Sequence, residues 1–159
     1  MPSEALIAPT IWRYIASSLD GLVSLALELS EDERLAIPPV AGANSIATLV
    51  GHTLTNVEDN LLGTLAGQDV TYDRQADFDA PAADAGSIEA RWAALRARVN
   101  AALGPLDDAA VLAPRVHPRR GEVTGLEVLV VTARHAAEHL GQAELTRDWV
   151  RSRDEATPR

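Results

Sequence analysis

The chain has 159 residues, nearly half of them apolar (47%), which is enough for one domain with a buried core. Its formal net charge of −9 disfavours a nucleic-acid partner, because phosphate binding needs clustered basic side chains and only Arg115, Arg119 and Arg120 come close to a cluster. There is no Cys and no Lys, so disulfides, a protein thiolate, a Cys-based zinc site and Schiff-base chemistry are excluded.

Met1–Thr10 holds Glu4 and two prolines and lacks the basic-then-apolar order of an export signal. Val128–Val131 with its neighbours is too short an apolar run to span a bilayer. The expectation is a cytoplasmic protein with no membrane partner.

Four segments carry helical period. Ile11, Ile15, Ser18, Leu22, Leu25 and Leu29 make one stripe and predict a first helix from Thr10 to Leu29. Ser30 and Glu33 have capping-box spacing and predict a short helical turn, stopped by Pro38-Pro39. Asn44 or Ser45 starts the second helix, with the stripe Ile46, Leu49, Val50, Thr53, Val57 and Leu61, and Gly67 ends it. Gln68–Gly86 reads as loop. Ser87 is expected to cap the third helix, whose stripe is Ile88, Trp92, Leu95, Val99 and Leu103, ended by Gly104-Pro105. Trp92 is expected to anchor the core and Arg96 to lie on the opposite face. Pro105–Val123 reads as a second loop. Thr124 and Glu127 form another capping box and open a fourth helix that runs to about Trp149. The charged tail, residues 151–159, is expected to fray. These elements predict an all-α fold, a four-helix bundle, with residues 1–159 as a single domain.

Three of the four histidines are placed to act together. His135 and His139 are four residues apart, so both project from one face of the fourth helix, one turn above the other. That helix is apolar or neutral on nearly every side in its first half and is expected to lie buried between neighbours. Buried imidazoles need to be neutral and hydrogen-bonded or metal-bound, and two at this spacing can converge on one ion. His52, at the edge of the second helix's apolar stripe, is the third candidate metal ligand. Asn56 and Asp59 share its side and could orient a ligand or a bound water. Gln142 continues the face of His135 and His139. His117, in the Pro- and Arg-rich loop, has no role that the sequence assigns.

Two rival motifs fail on context. His135-Ala-Ala-Glu138-His139 matches an inverted zinc-protease pattern, but that site needs a distant downstream Glu, and only Glu144 and Glu155 follow. The acidic segment starting at Asp77-Phe78-Asp79 begins like a calcium loop but has Ala82 and Ile88 where Gly and Glu are required.

These segments resemble the DinB-like family. Asn44-Ser45-Ile46 leading into Leu49-Val50-Gly51-His52, then Glu58-Asp59, is similar to its second helix. His135 and His139 followed by Gly141-Gln142 and Arg147 are similar to its fourth, and Thr124–Leu129 also fits. The resemblance covers the whole length and element order. It implies a bundle with up-down-down-up connections, a metal held by His52, His135 and His139, and often a homodimer. Some relatives are thiol-dependent transferases or isomerases using small thiols such as bacillithiol or mycothiol; others have no assigned activity.

Two functional readings follow. In the first, three neutral His leave a position open on a divalent ion, zinc or nickel first, with iron or manganese also suited to imidazole. A small-molecule thiol bound there would lose its proton and attack an electrophile. Water in its place would make a hydrolase, with Glu138, Asp59 or Asn56 as candidates to assist proton transfer. In the second reading the protein is a non-enzymatic metal-binding or stress-response dimer. Exposed apolar surface on the first or fourth helix would favour the dimer; a pocket at the metal lined by the two long loops would favour the enzyme.

Overall fold

The computed structural model describes residues 5–156. The first helix, α1 (Ile7–Leu27), buries Ile15, Leu19, Leu22 and Ala26 completely. It begins three residues before Thr10, because its first amides are capped from far away in sequence. Asp108 Oδ1 accepts the backbone N–H groups of Leu6 and Ile7 at 2.9 and 2.8 Å. Pro9 lies in that first turn, where a missing N–H does no harm. The Ser30–Glu33 capping box forms as expected and opens the short α2 (Glu31–Leu35). Arg34, buried, turns back and donates to the carbonyls of Ala26, Leu29 and Ala83. It thus satisfies orphan acceptors at the C-terminus of α1, where a cation is also favoured by the helix dipole.

The second long helix starts at its Ser45 cap as α3 (Ile46–Val57). Its last part departs from expectation: Glu58–Leu65 is π-helical, and only then does Gly67 end it with a positive φ of 68°. The wider turn keeps Leu61, Leu62 and Leu65 in the core while Asn60 turns to a buried polar contact. Both supposed loops also contain structure. Within 68–86 lies α4 (Arg74–Asp79), capped by Asp73. Within 105–123 lie α6 (Asp108–Leu112) and a hairpin of β1 (Pro114–His117) and β2 (Gly121–Thr124), paired from Pro114↔Thr124 to His117↔Gly121. Between them, α5 (Ala85–Leu103) is capped by Asp84, whose carboxylate accepts Ser87 N–H at 2.7 Å; Ser87 itself is not the cap. The Thr124–Glu127 box opens α7 (Gly125–Ala156), which continues past Trp149, so helix covers most of the tail expected to fray; residues 157–159 lie outside the described residues.

Side-chain pairs fix the directions. Glu28 meets Arg151 at the far ends of α1 and α7, which therefore run parallel. Trp12 donates to Asn100, and Trp92 to Asp20, so α5 is antiparallel to α1. His52 of α3 meets His135, while Leu65, further along the chain, packs against Gly125 at the start of α7, so α3 and its continuation run antiparallel to α7. The four long helices therefore run up, down, down, up. One expectation is corrected: α7 is not enclosed all round. Val128, Leu129, Thr132 and Ala136 face the core, while Val130, Arg134, Ala137 and Glu138 face outward. Among the described residues, no helix is long and apolar enough to cross a membrane.

Trp92 is only 6% exposed, meets Trp12 edge-on at 6.1 Å and donates its indole N–H to Asp20 at 2.9 Å. Trp92→Ala should destabilise the fold by about 3–5 kcal/mol, as for other large aromatic truncations in a core. Arg96 does not lie on the opposite face from Trp92 as expected: four residues on, its guanidinium sits 5.4 Å over the Trp92 ring and pairs with the same Asp20 at 2.7 Å, and because both contacts are half-exposed Arg96→Ala should lose no more than about 1–2 kcal/mol. Denaturant midpoints of the two variants check this; equal shifts would refute the anchor assignment.

Candidate metal centre

Antiparallel packing of α3 on α7 brings His52, His135 and His139 together. The Nε2 atom of His135 lies 3.1 Å from that of His52 and 3.1 Å from that of His139. All three offer a ring nitrogen within 4.8 Å of one another, so the cluster could hold a metal ion. Two imidazole nitrogens about 2.0–2.1 Å from a common ion in a tetrahedral arrangement sit roughly 3.3 Å apart, close to the spacing observed. A neutral imidazole carries one N–H, and His135 Nε2 faces two other ring nitrogens, so hydrogen bonds among the three cannot serve every nitrogen.

The proton positions suit metal ligation. Gln142 Oε1 lies 2.8 Å from His139 Nδ1 and holds a proton on that nitrogen, leaving the Nε2 lone pair directed at the cluster. This gives Gln142 a role that the sequence left unassigned. His52 Nδ1 and His135 Nδ1 are buried with no hydrogen-bond partner, unlike the supported second nitrogens usual at metal sites.

Short α4 closes over the His52 side. A side chain at Gly51 would place its Cβ 2.9 Å from the Asp77 carboxylate, so the glycine lets α4 sit directly on α3. Phe78 then lies 5.3 Å from the His52 ring. Burial makes charging His52 and His135 unfavourable. Burial, then the charges of His139 and Arg74, pushes the pKa of His52 down to about 4, with Asp77 opposing. Burial, then His139, His52, Arg134 and Arg120, pushes His135 down to about 3. Both are neutral at pH 7, the form in which imidazole binds metals.

Other residues singled out from sequence lie elsewhere. Asn56 Oδ1 accepts from Asn60 Nδ2 at 3.0 Å, and Asp59 pairs with Arg119 at 2.7 Å. Glu138 is exposed and faces Arg134 at 3.6 Å, which removes the inverted-protease arrangement. His117 is buried and structural. Arg119 N–H donates to its Nδ1 at 3.0 Å, so its Nε2–H donates to Asn60 Oδ1 at 3.1 Å, tying the hairpin to the π-helical segment. Burial, then Arg120 and Arg119, lowers its pKa. Sequence reasoning weighed Asp77 and Phe78 only as the start of a calcium loop and missed their place beside His52, because the helix that carries them is too short to show periodicity.

A cavity of about 490 Å3 opens beside Gln142. Pro39, Val40, Leu49, Leu145, Thr146 and Trp149 are among its lining residues. Its loop wall is the 38–44 segment, not either of the two long connections.

Depressed imidazole pKa values make acid sensitivity a stability effect. Unfolded, His52 and His135 protonate near 6.5; folded, near 4 and 3. In that interval the unfolded chain binds more protons, so stability falls as pH falls. Metal-free protein should lose denaturant resistance from pH 6.5 downward, with the His52 contribution gone below about 4 and that of His135 below about 3. His135→Ala should flatten the profile; an unchanged profile would contradict the burial effect.

No curated protein and no solved structure matches the chain. The profile of the DinB superfamily matches residues 15–143, a span that includes His52, His135 and His139, all of α3 and α5, and parts of α1 and α7. With its helical fold and histidine cluster, the chain belongs to the DinB superfamily.

Proposed function

We propose that His52, His135 and His139 hold one divalent ion, and that the protein transfers a small thiol to an electrophile. The observation that carries this reading is the convergence of three ring nitrogens, that of His135 lying 3.1 Å from each of the other two and all three within 4.8 Å, with no carboxylate completing the set among the described residues. Three neutral ligands leave the ion its full charge and an open position, as in catalytic rather than structural sites. Zinc or nickel suits the donor set best, and iron or manganese also accepts imidazole. A divalent ion in such a site stabilises a thiolate and so lowers the pKa of an incoming thiol.

The chain's own residues do the rest. Gln142 orients His139, the low basicity of His52 and His135 keeps their lone pairs available, and Phe78 shields His52 from water. In the transfer, the cosubstrate thiol gives up its proton, sulfur bonds to the electrophilic carbon, and the leaving group departs with the bonding pair. The nucleophile arrives with the cosubstrate because the chain has no Cys. The apolar cavity beside Gln142 offers room for the body of a small substrate.

Freshly purified protein should contain about one divalent ion per chain, and His135→Ala should lower occupancy at least about tenfold. Turnover of a generic electrophile with a panel of thiols should depend on the metal and prefer one thiol. Equal rates in metal-loaded and metal-stripped protein would overturn the thiol reading. Metal-dependent turnover of esters or amides without thiol would favour a hydrolase instead.

A second reading has its own observation. Tyr14 on α1 and Val130 on α7 are 64% and 52% exposed. Exposed apolar side chains on these two helices suit a homodimer whose main role is metal binding or a stress response. Sedimentation should then give a dimer that Val130→Asp converts to monomer; a monomeric parent would remove this reading.

A further inference from the structure

We propose that the cavity beside Gln142 is the triad's specificity subsite, and that it takes the uncharged, apolar body of the electrophile. The proposal deepens the reading above and rests on it for the identity of the reacting centre.

The cavity is the next layer of the seam that holds the triad. Leu49 lies three residues before His52 on α3, and Gln142 three residues after His139 on α7. Each is therefore about one turn from a candidate ligand, on the same side of its helix. Because the two helices are antiparallel, both steps lead in the same direction. Thr146 and Trp149 extend the α7 wall by further turns. Gln142 belongs to both places: its Oε1 lies 2.8 Å from His139 Nδ1, and the residue lines the cavity. A molecule seated in the cavity thus abuts the residue that orients His139.

The lining decides the chemistry. None of the described residues around the cavity carries a charge, although 23% of the chain is charged. Asn44, Gln142 and Thr146 supply its polar side chains, and all three are neutral. Val40 on the loop wall and Leu145 on α7 are 69% and 73% exposed, so apolar surface on both walls stays in water until something covers it. An apolar group gains by covering it, whereas a carboxylate or ammonium would lose hydration with no counter-charge on the walls. Arg153 stacks on the Trp149 ring at 4.8 Å but is not part of the lining.

The walls are set in advance. Pro38 and Pro39 restrict the loop backbone, and the amides of Val40 and Ala43 donate to the carbonyls of Pro38 and Val40 at 2.8 and 3.0 Å. A volume of about 490 Å3 falls in the range that holds a small organic molecule. In the transfer reading the thiol is held by its sulfur, whereas the electrophile has no bond to the ion and needs a surface to position it.

The test has two arms. In the first, metal-free protein is titrated with benzyl alcohol, benzoate and benzylamine, and binding is read from the indole N–H signals of an isotope-labelled sample. Trp149→Phe identifies the Trp149 signal. Benzyl alcohol should shift it, and the two charged analogues should need at least about tenfold higher concentration. Leu145→Glu and Val40→Asp each put a carboxylate on an exposed wall position and should abolish the shift, while unmoved Trp12 and Trp92 signals report an intact fold. No Trp149 shift, an equal shift with all three compounds, or an unchanged shift in both variants overturns the subsite. In the second arm, zinc-loaded protein with 2-mercaptoethanol is offered benzyl chloride or 4-(chloromethyl)benzoate. In each reaction sulfur bonds to the benzylic carbon, chloride leaves with the bonding pair, and the thiol proton passes to solvent. The uncharged electrophile should show a kcat/KM at least about tenfold higher, and Leu145→Glu should raise its KM by a similar factor. Equal turnover of the two electrophiles overturns the subsite and leaves the thiol reading intact. No turnover of either overturns the thiol reading, and the indole signals then decide the cavity by themselves: a Trp149 shift given by benzyl alcohol and lost in Leu145→Glu supports an apolar site, and no shift overturns it.

Discussion

Everything at the centre of this protein depends on the antiparallel contact between α3 and α7. Histidines 83 and 87 residues apart in the chain share one cluster only because these helices run in opposite directions at a fixed register. The register is held by large side chains from both, among them Ile46, Val50, Leu54 and Leu129, each essentially inaccessible to water. Close packing converts a small axial slip into misplacement of the ring nitrogens, because cores do not deform continuously. The same burial makes His52 and His135 poor bases, so the packing that gathers these rings also sets their protonation.

The segments between the long helices complete the site. Close approach of α4 at Gly51 brings Phe78 against His52, and the hairpin carries His117 into the interior. A chain of buried hydrogen bonds then runs from Arg119 N–H through His117 and Asn60 to Asn56, one turn of helix from His52. Each member is satisfied by the next, which is the condition for burying polar groups without a large penalty. Buried Thr53 and Thr132 meet the same condition by donating to carbonyls one turn back. The π-helical stretch belongs to this arrangement: it changes the helix face at the point where Asn60 must meet His117.

Charge is distributed with the same economy. Most arginines are tied to acids or carbonyls, Arg34 deep enough to close the end of α1. Exposed pairs of this kind add little stability each.

Much of this was legible in the chain itself. The apolar stripes around Ile15, Val50 and Trp92 have helical period, and the Ser30, Ser45 and Thr124 caps are local signals, so the long helices and the starts of α2, α3 and α7 follow from short-range chemistry. The His135–His139 pair is local too, being one turn of one helix. His52 joined them by its helix face and by family resemblance, since no local rule sets a distance between helices. Contacts distant in sequence stayed hidden. Asp108 capping α1, Arg34 reaching Ala83, and His117 turning inward all depend on where other elements pack. The short α4 and the hairpin have too few residues for a periodic signal, and the change to π-helix leaves the apolar pattern nearly unaltered. Local sequence thus determined the helices and the candidate ligands; tertiary packing decided the spacing of the three rings and the neutral state of His52 and His135, because both depend on what each ring is buried against.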